Sequence, residues 1–337
     1  MDAVIETKQG SLIRLFVKYP ILPTLIFFVV MCVVFVFLSP TNMQGQVIFL
    51  SQGNLYSIFE ATAGFSIGAF AMTLVLLVGC LDISSESIIA MCAVILGIFI
   101  ETFHMGFWLS VFLTLSVGAL CGFINSQIVI RFKVPSFLGT IAVSFMYLGL
   151  AYTFSGSKSI LFTEQASRLS RVFGSIGSNA SFLGLPVLLW WTVFFLTLFY
   201  LLISKSKFGR WAQAVGGNEL SAFSSGVNVK MVRTAAFVLM GVVSAFIGVI
   251  FCARLGAASP NYGSQYTLKF IIAAVLGGTT FDGEGGNVFG TLLGSLVMGV
   301  LTNGLSIIGI DVYIQQVITG IVIVATVIFS VYISSKK

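Results

Sequence analysis

The chain has 337 residues, 58% of them hydrophobic and only 8% charged, with a formal net charge of +6 and a mean hydropathy of +1.07. A soluble domain carries roughly a quarter charged residues, so this chain could not cover a water-facing surface. Repeated apolar runs of roughly 18 or more residues predict an all-α polytopic membrane protein, and their lack of alternation argues against a β-barrel.

Residues 1–18 are polar and no small-residue cleavage site follows, so the first span is expected to stay as an anchor. Residues 20–38, preceded by Lys8, Arg14 and Lys18, form the first predicted span, with the N-terminus inside. The second is 55–80, with Glu60 near its outer end; the third is 84–100; the fourth, 106–130, ends at Arg131 and Lys133; the fifth is 134–155. A Ser/Gly-rich segment, 156–184, leads to the sixth span at 185–204, where Trp190 and Trp191 fit an interfacial aromatic belt. Residues 205–233 are the longest polar connection, and 234–253 is the seventh span. Residues 270–280 are too short to cross alone and are expected to form a broken or tilted eighth span with part of 259–269. Residues 288–303 and 312–333 bring the count to about ten, each near the length a bilayer needs. One transmembrane domain then covers 1–337, with both termini cytoplasmic and membrane lipid as its surroundings.

This topology puts twelve basic residues inside against five outside, namely Lys158, Arg168, Arg171, Arg254 and Lys269. That is the direction of the positive-inside rule, and it accounts for the net charge without nucleic acid, for which no basic cluster interleaved with aromatics exists. The five cysteines, Cys32, Cys80, Cys92, Cys121 and Cys252, all lie in or beside apolar runs without a CxxC and read as small core residues. His104 is the only histidine, and no HExxH, G-x-S-x-G or metal-spaced cluster occurs, so no catalytic or metal site is expected.

The stretch LVLLVGCLDISSESIIAM, residues 74–91, sets Asp82, three serines and Glu86 between two apolar runs. A carboxylate at the bilayer centre costs about 3 kcal/mol on insertion scales, which a helix break lessens. Gly79 is expected to loosen the end of one helix and Asp82 or Ser84 to cap the next, a contribution of about 1 kcal/mol. Asp82 and Glu86, four apart, share a face if both are helical. They fit a polar wall of a translocation path or a proton relay as well as a capped turn. Asn125 and Asn303 fit helix–helix hydrogen bonds or the same path.

The segment AMTLVLLVGCLDISSES resembles the GMTLVILTGGIDLSVGS pattern of permease subunits from ABC-type sugar importers, the ribose/xylose/arabinose group of the branched-chain amino acid/monosaccharide permease superfamily. Met72, Thr73, Leu74, Val75, Gly79, Asp82 and Ser84 match; Cys80 and Glu86 stand where the pattern has glycine. FGRWAQAVGGNELSAFSSGVNVKMVR matches LGRxxxAxGGNxxAAxxSGI at Gly209, Arg210, Gly216, Gly217, Asn218, Ser225 and Gly226. A third block matches at Gly277, Gly278, Gly290, Thr291, Gly294 and Asn303 among others, and in ARLGAASPNYGSQYTL the usual glutamate is Thr267. The resemblance covers roughly 55–333.

The resemblance implies a membrane permease that moves a monosaccharide (a ribose-like pentose, another simple sugar or autoinducer-2) across the bacterial inner membrane. It implies a second permease subunit, identical or not, a cytoplasmic ABC ATPase and an external sugar-binding protein. No G-x-x-x-x-G-K-[ST] loop occurs in the chain. ATP and Mg²⁺ are therefore expected on the partner ATPase, with no cofactor and no enzymatic activity here. Residues 205–233 become the coupling segment. Residues 209–215 are expected to form a short helix with Arg210, Gly216 and Gly217 to make the turn, and Asn218 to cap a second helix. That helix has Glu219 in its first turn and ends at Gly226, and its Leu220 and Phe223 would enter a groove on the ATPase. The alternative is an ion-coupled carrier using Glu60, Asp82 and Glu86.

Overall fold

The computed structural model describes residues 21–162, 177, 181–182, 184–280, 283 and 285–334. Lys8, Arg14, Lys18, Arg168, Arg171, Lys336 and Lys337, and with them part of the topology count, lie outside the described residues. Long apolar sequence becomes helix because helix satisfies every backbone polar group without water. Six helices come first: α1 (Leu22–Leu38), α2 (Gln52–Leu77), α3 (Ser85–Gly97), α4 (Phe107–Ile130), α5 (Ser136–Ser155) and α6 (Val187–Tyr200). Two short ones follow, α7 (Lys207–Gly217) and α8 (Glu219–Ser224). The chain ends with α9 (Val229–Leu255), α10 (Tyr266–Leu276), α11 (Val288–Ile307) and α12 (Val312–Ser334). Wide π-helical turns extend α3 through Ile98–Thr102 and α6 through Leu201–Lys205.

Every predicted span has its helix, with ends moved by a few residues. By length and composition, α2, α4, α5, α9 and α11, and α3 and α6 with their wide turns, are able to cross a membrane: seven among the described residues. Leu22–Leu38, Tyr266–Leu276 and the Val312–Ala325 part of α12 are shorter apolar helices. The eighth predicted span is thus a half-span: α10 has 11 residues, about 16 Å of helix against about 30 Å of hydrocarbon. Pro260 and Gly263, the latter at φ +83°, keep the preceding stretch non-helical. That stretch runs back along α3. Ala258 abuts Gly97, Gly263 abuts Ile89, and Thr267 meets Ser85 at the first residue of α3.

α2 is the axis of the bundle, almost wholly buried from Ala63 to Val78, with α6, α9, α10 and α11 around it. α4 and α9 cross closely because Gly118 and Gly122 of α4 meet Gly241 and Phe237 of α9 backbone to backbone. A Cβ on Gly122 would fall 2.2 Å from the Phe237 carbonyl oxygen, which is the small-xxx-small geometry of membrane helices. Trp191 belongs to this packing rather than to an aromatic belt alone: its ring sits 4.9 Å from that of Phe246 on α9.

Two short antiparallel pairs complete the fold. β1 (Ile160–Leu161) pairs with β4 (Ala257–Ala258), Ile160 opposite Ala258. β2 (Ser181–Phe182) pairs with β3 (Leu185–Pro186). In α9, Arg233 and Arg254 are separated by about 32 Å of helix, close to one hydrocarbon thickness. The Arg233 end of the bundle gathers Arg131, Lys133, Lys205, Lys207, Arg210 and Lys230; the Arg254 end holds Lys158, next to β1. Lys269, counted among the outer basic residues, lies in the first turn of α10, its ammonium 4.8 Å from the Phe65 ring centre.

Candidate functional site

The break between α2 and α3 is built as the composition suggested and bonded differently. α2 ends at Leu77, Gly79 takes φ +69°, and no regular structure forms until Ser85. Neither Asp82 nor Ser84 caps α3 through its side chain. Asp82 is not helical and shares no face with Glu86. Asp82 instead folds back on its own loop: its Oδ1 accepts the Ser84 N–H at 2.9 Å and the Ser84 hydroxyl at 2.7 Å. A short acidic side chain bonding the backbone two residues on competes with a cap for the same oxygen.

Other helices satisfy the rest of the loop. Ser136 Oγ of α5 accepts the Leu81 N–H at 3.0 Å, and Thr140 Oγ1, one turn further, accepts that of Ile83 at 3.0 Å. Asn125 of α4, fully buried, donates to Ser84 Oγ at 2.7 Å and to Asp82 Oδ2 at 3.3 Å. The Tyr147 hydroxyl of α5 donates to Asn125 Oδ1 at 3.1 Å. Thr267 of α10 takes the place of a local cap, accepting the Glu86 N–H at 3.0 Å and sharing a 2.6 Å bond with Ser85 Oγ. Arg233 Nε of α9 donates to the Val78 carbonyl at 3.3 Å. Non-helical backbone in a membrane protein survives only where protein buries and bonds it, and here four helices do so.

Of the residues sequence reasoning singled out here, the structure bonds Asp82, Ser84 and Asn125 to one another, while Gly79 only turns the chain before them and Glu86 meets Thr267 instead. That reasoning missed Ser136, Thr140 and Tyr147, although 136 and 140 are hydroxyls four apart in an apolar helix. Thr267 stood out only as a departure from the motif. Asn303 lies apart on α11, and among the described residues its Oδ1 has no hydrogen-bond partner. Glu60 is elsewhere too, paired with Arg254 at 2.8 Å.

At the Arg233 end, α7 and α8 form an elbow. Ser206 caps α7 by accepting the Gly209 N–H at 3.0 Å, and Asn218 caps α8 by accepting the Ser221 N–H at 2.9 Å. Gly216 and Gly217 complete α7 rather than form the turn, which Asn218 makes alone. The two glycines differ in surroundings: a Cβ on Gly216 would lie 2.0 Å from the Leu77 carbonyl oxygen, whereas one on Gly217 would meet nothing within 4 Å. α8 closes two residues past its end at Gly226, φ +83°. Arg210 is exposed, and Leu220 and Phe223 are 79% and 71% exposed. Glu219 pairs with Arg233 at 2.9 Å. A groove of about 980 Å³ opens between α8, the α4–α5 turn and the residues after Gly79.

Residues 54–327 match the family model described as branched-chain amino acid transport system / permease component. The chain belongs to that family. This permease is 32% identical over 289 residues to the ribose import permease protein RbsC of Haemophilus influenzae, covering 86% of this chain and 88% of the relative. It is 33% identical over 296 residues to RbsC of Escherichia coli K12, with 86% and 88% covered. It is 31% identical over 326 residues to the L-arabinose transport system permease protein AraH of Escherichia coli K12, with 96% and 93% covered. No solved structure matches. The resemblance read from the motifs thus holds: the permease is of the sugar ABC importer kind, a multi-pass protein of the bacterial inner membrane.

Proposed function

We propose that this permease is the membrane subunit of an ATP-driven importer that carries a monosaccharide into the cytoplasm. α7 and α8 dock on a separate cytoplasmic ATPase, which holds ATP and Mg²⁺. A second permease subunit completes the pathway, and an external sugar-binding protein delivers the solute. The observation that carries the reading is α8 itself: a capped six-residue helix that presents Leu220 and Phe223, 79% and 71% exposed, on the rim of the groove. Two large apolar side chains on one face of a polar elbow are an anchor for a partner's groove. The surrounding Lys133, Lys205, Lys207, Arg210 and Lys230 support a cytoplasmic placement of this end. Ten passes with both termini cytoplasmic follow if α1, α10 with its preceding stretch, and α12 each complete a pass. Relatives named for ribose and L-arabinose favour a pentose.

The ion-coupled alternative has less support, since Glu60 is spent on Arg254 while Asp82 is occupied by Ser84 and Asn125. The test is uptake of D-ribose and L-arabinose into vesicles holding the permease, its co-purified ATPase and the binding protein. ATP should drive uptake with the proton gradient collapsed. Uptake that persists with a catalytically dead ATPase contradicts the proposal.

A further inference from the structure

The elbow and the break are separated by the 980 Å³ groove, with Gly79 and Cys80 on one wall and Leu220 and Phe223 on the other. Arg233 bridges that gap. It stands in the second turn of α9; its Nη2 is 2.9 Å from Glu219 Oε2, at the first residue of α8. Its Nε donates at 3.3 Å to the carbonyl of Val78, the residue that follows α2. The guanidinium is well suited to this, because its planar fork offers separate donors in fixed directions and stays charged. The Val78 carbonyl has left the helix, so the bond meets an acceptor that α2 no longer uses internally. Four residues on, Asp82 and Ser84 tie the same loop to Asn125.

We propose that Arg233 is a positioning residue that carries displacement of α8 to the α2–α3 break, so that movement of the docked ATPase reaches the polar loop at Asp82. The proposal rests on the importer reading. α7 bears directly on Leu77 through Gly216, whereas α8, seated on the bundle by its buried Ala222, reaches the break through the Glu219–Arg233–Val78 chain of bonds.

The test uses the whole complex in proteoliposomes, with D-ribose and L-arabinose as probes, and reads solute taken up per ATP hydrolysed. Arg233→Gln should lower that ratio on the order of tenfold, the scale set by losing hydrogen bonds to a charged group. Glu219→Gln, a change at a half-exposed surface residue that leaves folding intact, should lower it by a smaller factor. The exchange Glu219→Arg with Arg233→Glu restores an ion pair without a donor for Val78 and should remain uncoupled. A second readout needs no solute: hydrogen exchange of residues 78–84 should change when the wild-type complex is trapped with ATP and vanadate, and should not change in Arg233→Gln. A wild-type ratio in Arg233→Gln or in the exchange variant overturns the proposal, as does a trapped-state exchange change that survives Arg233→Gln. A variant that only lowers complex yield, with its ratio unchanged, assigns Arg233 a structural role and also overturns it. If the wild-type complex takes up solute without hydrolysing ATP, the importer reading fails first, and this proposal falls with it.

Discussion

Gly216→Ala is a one-methyl change whose consequence follows from the structure. The new Cβ would stand 2.0 Å from the Leu77 carbonyl oxygen and 3.0 Å from its carbon, where real Cβ atoms stay beyond 3.0 Å. α7 must therefore retreat from α2 by about 1 Å, since neither contact atom belongs to a flexible side chain; overpacking of this kind costs about 1–3 kcal/mol. Alanine returns up to about 1 kcal/mol through helix propensity, leaving a net loss of about 0–2 kcal/mol and a displaced elbow. Gly217→Ala is the matched control: same helix, same propensity gain, nothing within 4 Å. Thermal unfolding of the purified permease, retention of the ATPase on affinity purification, and ATP-driven uptake should all fall for Gly216→Ala and hold for Gly217→Ala. Equal behaviour of the two variants refutes the close-approach reasoning.

Gly122→Ala should destabilise the α4–α9 crossing by about 1–3 kcal/mol, because its Cβ would meet the Phe237 carbonyl at 2.2 Å, while Gly149→Ala, with open space around it, should not; thermal unfolding in detergent separates them. Asn125→Leu removes the donor to Asp82 Oδ2, while Tyr147 keeps the Cys121 carbonyl and Ser84 keeps Asp82 Oδ1; leaving that one buried carboxylate oxygen without a donor should cost about 1–3 kcal/mol and lower the yield of folded permease. Glu60→Gln breaks a partly exposed pair with Arg254 and should change stability by no more than about 1 kcal/mol. ATP-driven uptake should survive it, whereas an ion-coupled carrier would lose transport.

Helices were legible in this sequence because lipid leaves no other option for long apolar runs, and the cap at Asn218 because its chemistry is local. What stayed hidden was tertiary. Gly216 and Gly217 are indistinguishable in sequence, yet the Leu77 carbonyl sits over only one of them. Asp82 offered a cap by its position, but Ser84 and Asn125 claim its oxygens, and Thr267, 181 residues from Glu86 along the chain, supplies the bond a cap would have made. The half-length of α10 was foreshadowed by the short apolar run at 270–280. Lys269 was not, because its placement over Phe65 depends on how α10 lies against α2.

Coupling to a cytoplasmic ATPase requires α8 to face the cytoplasm, and one labelling experiment decides it. Leu220→Cys places a thiol at a 79% exposed position; Cys80, Cys92, Cys121 and Cys252 are buried, and the half-buried Cys32 is replaced by serine in the same background. A membrane-impermeant maleimide should label the introduced thiol in inside-out vesicles and leave it unlabelled in right-side-out ones, with protection in inside-out vesicles when the ATPase is bound. Labelling from the outside of intact cells would contradict the account.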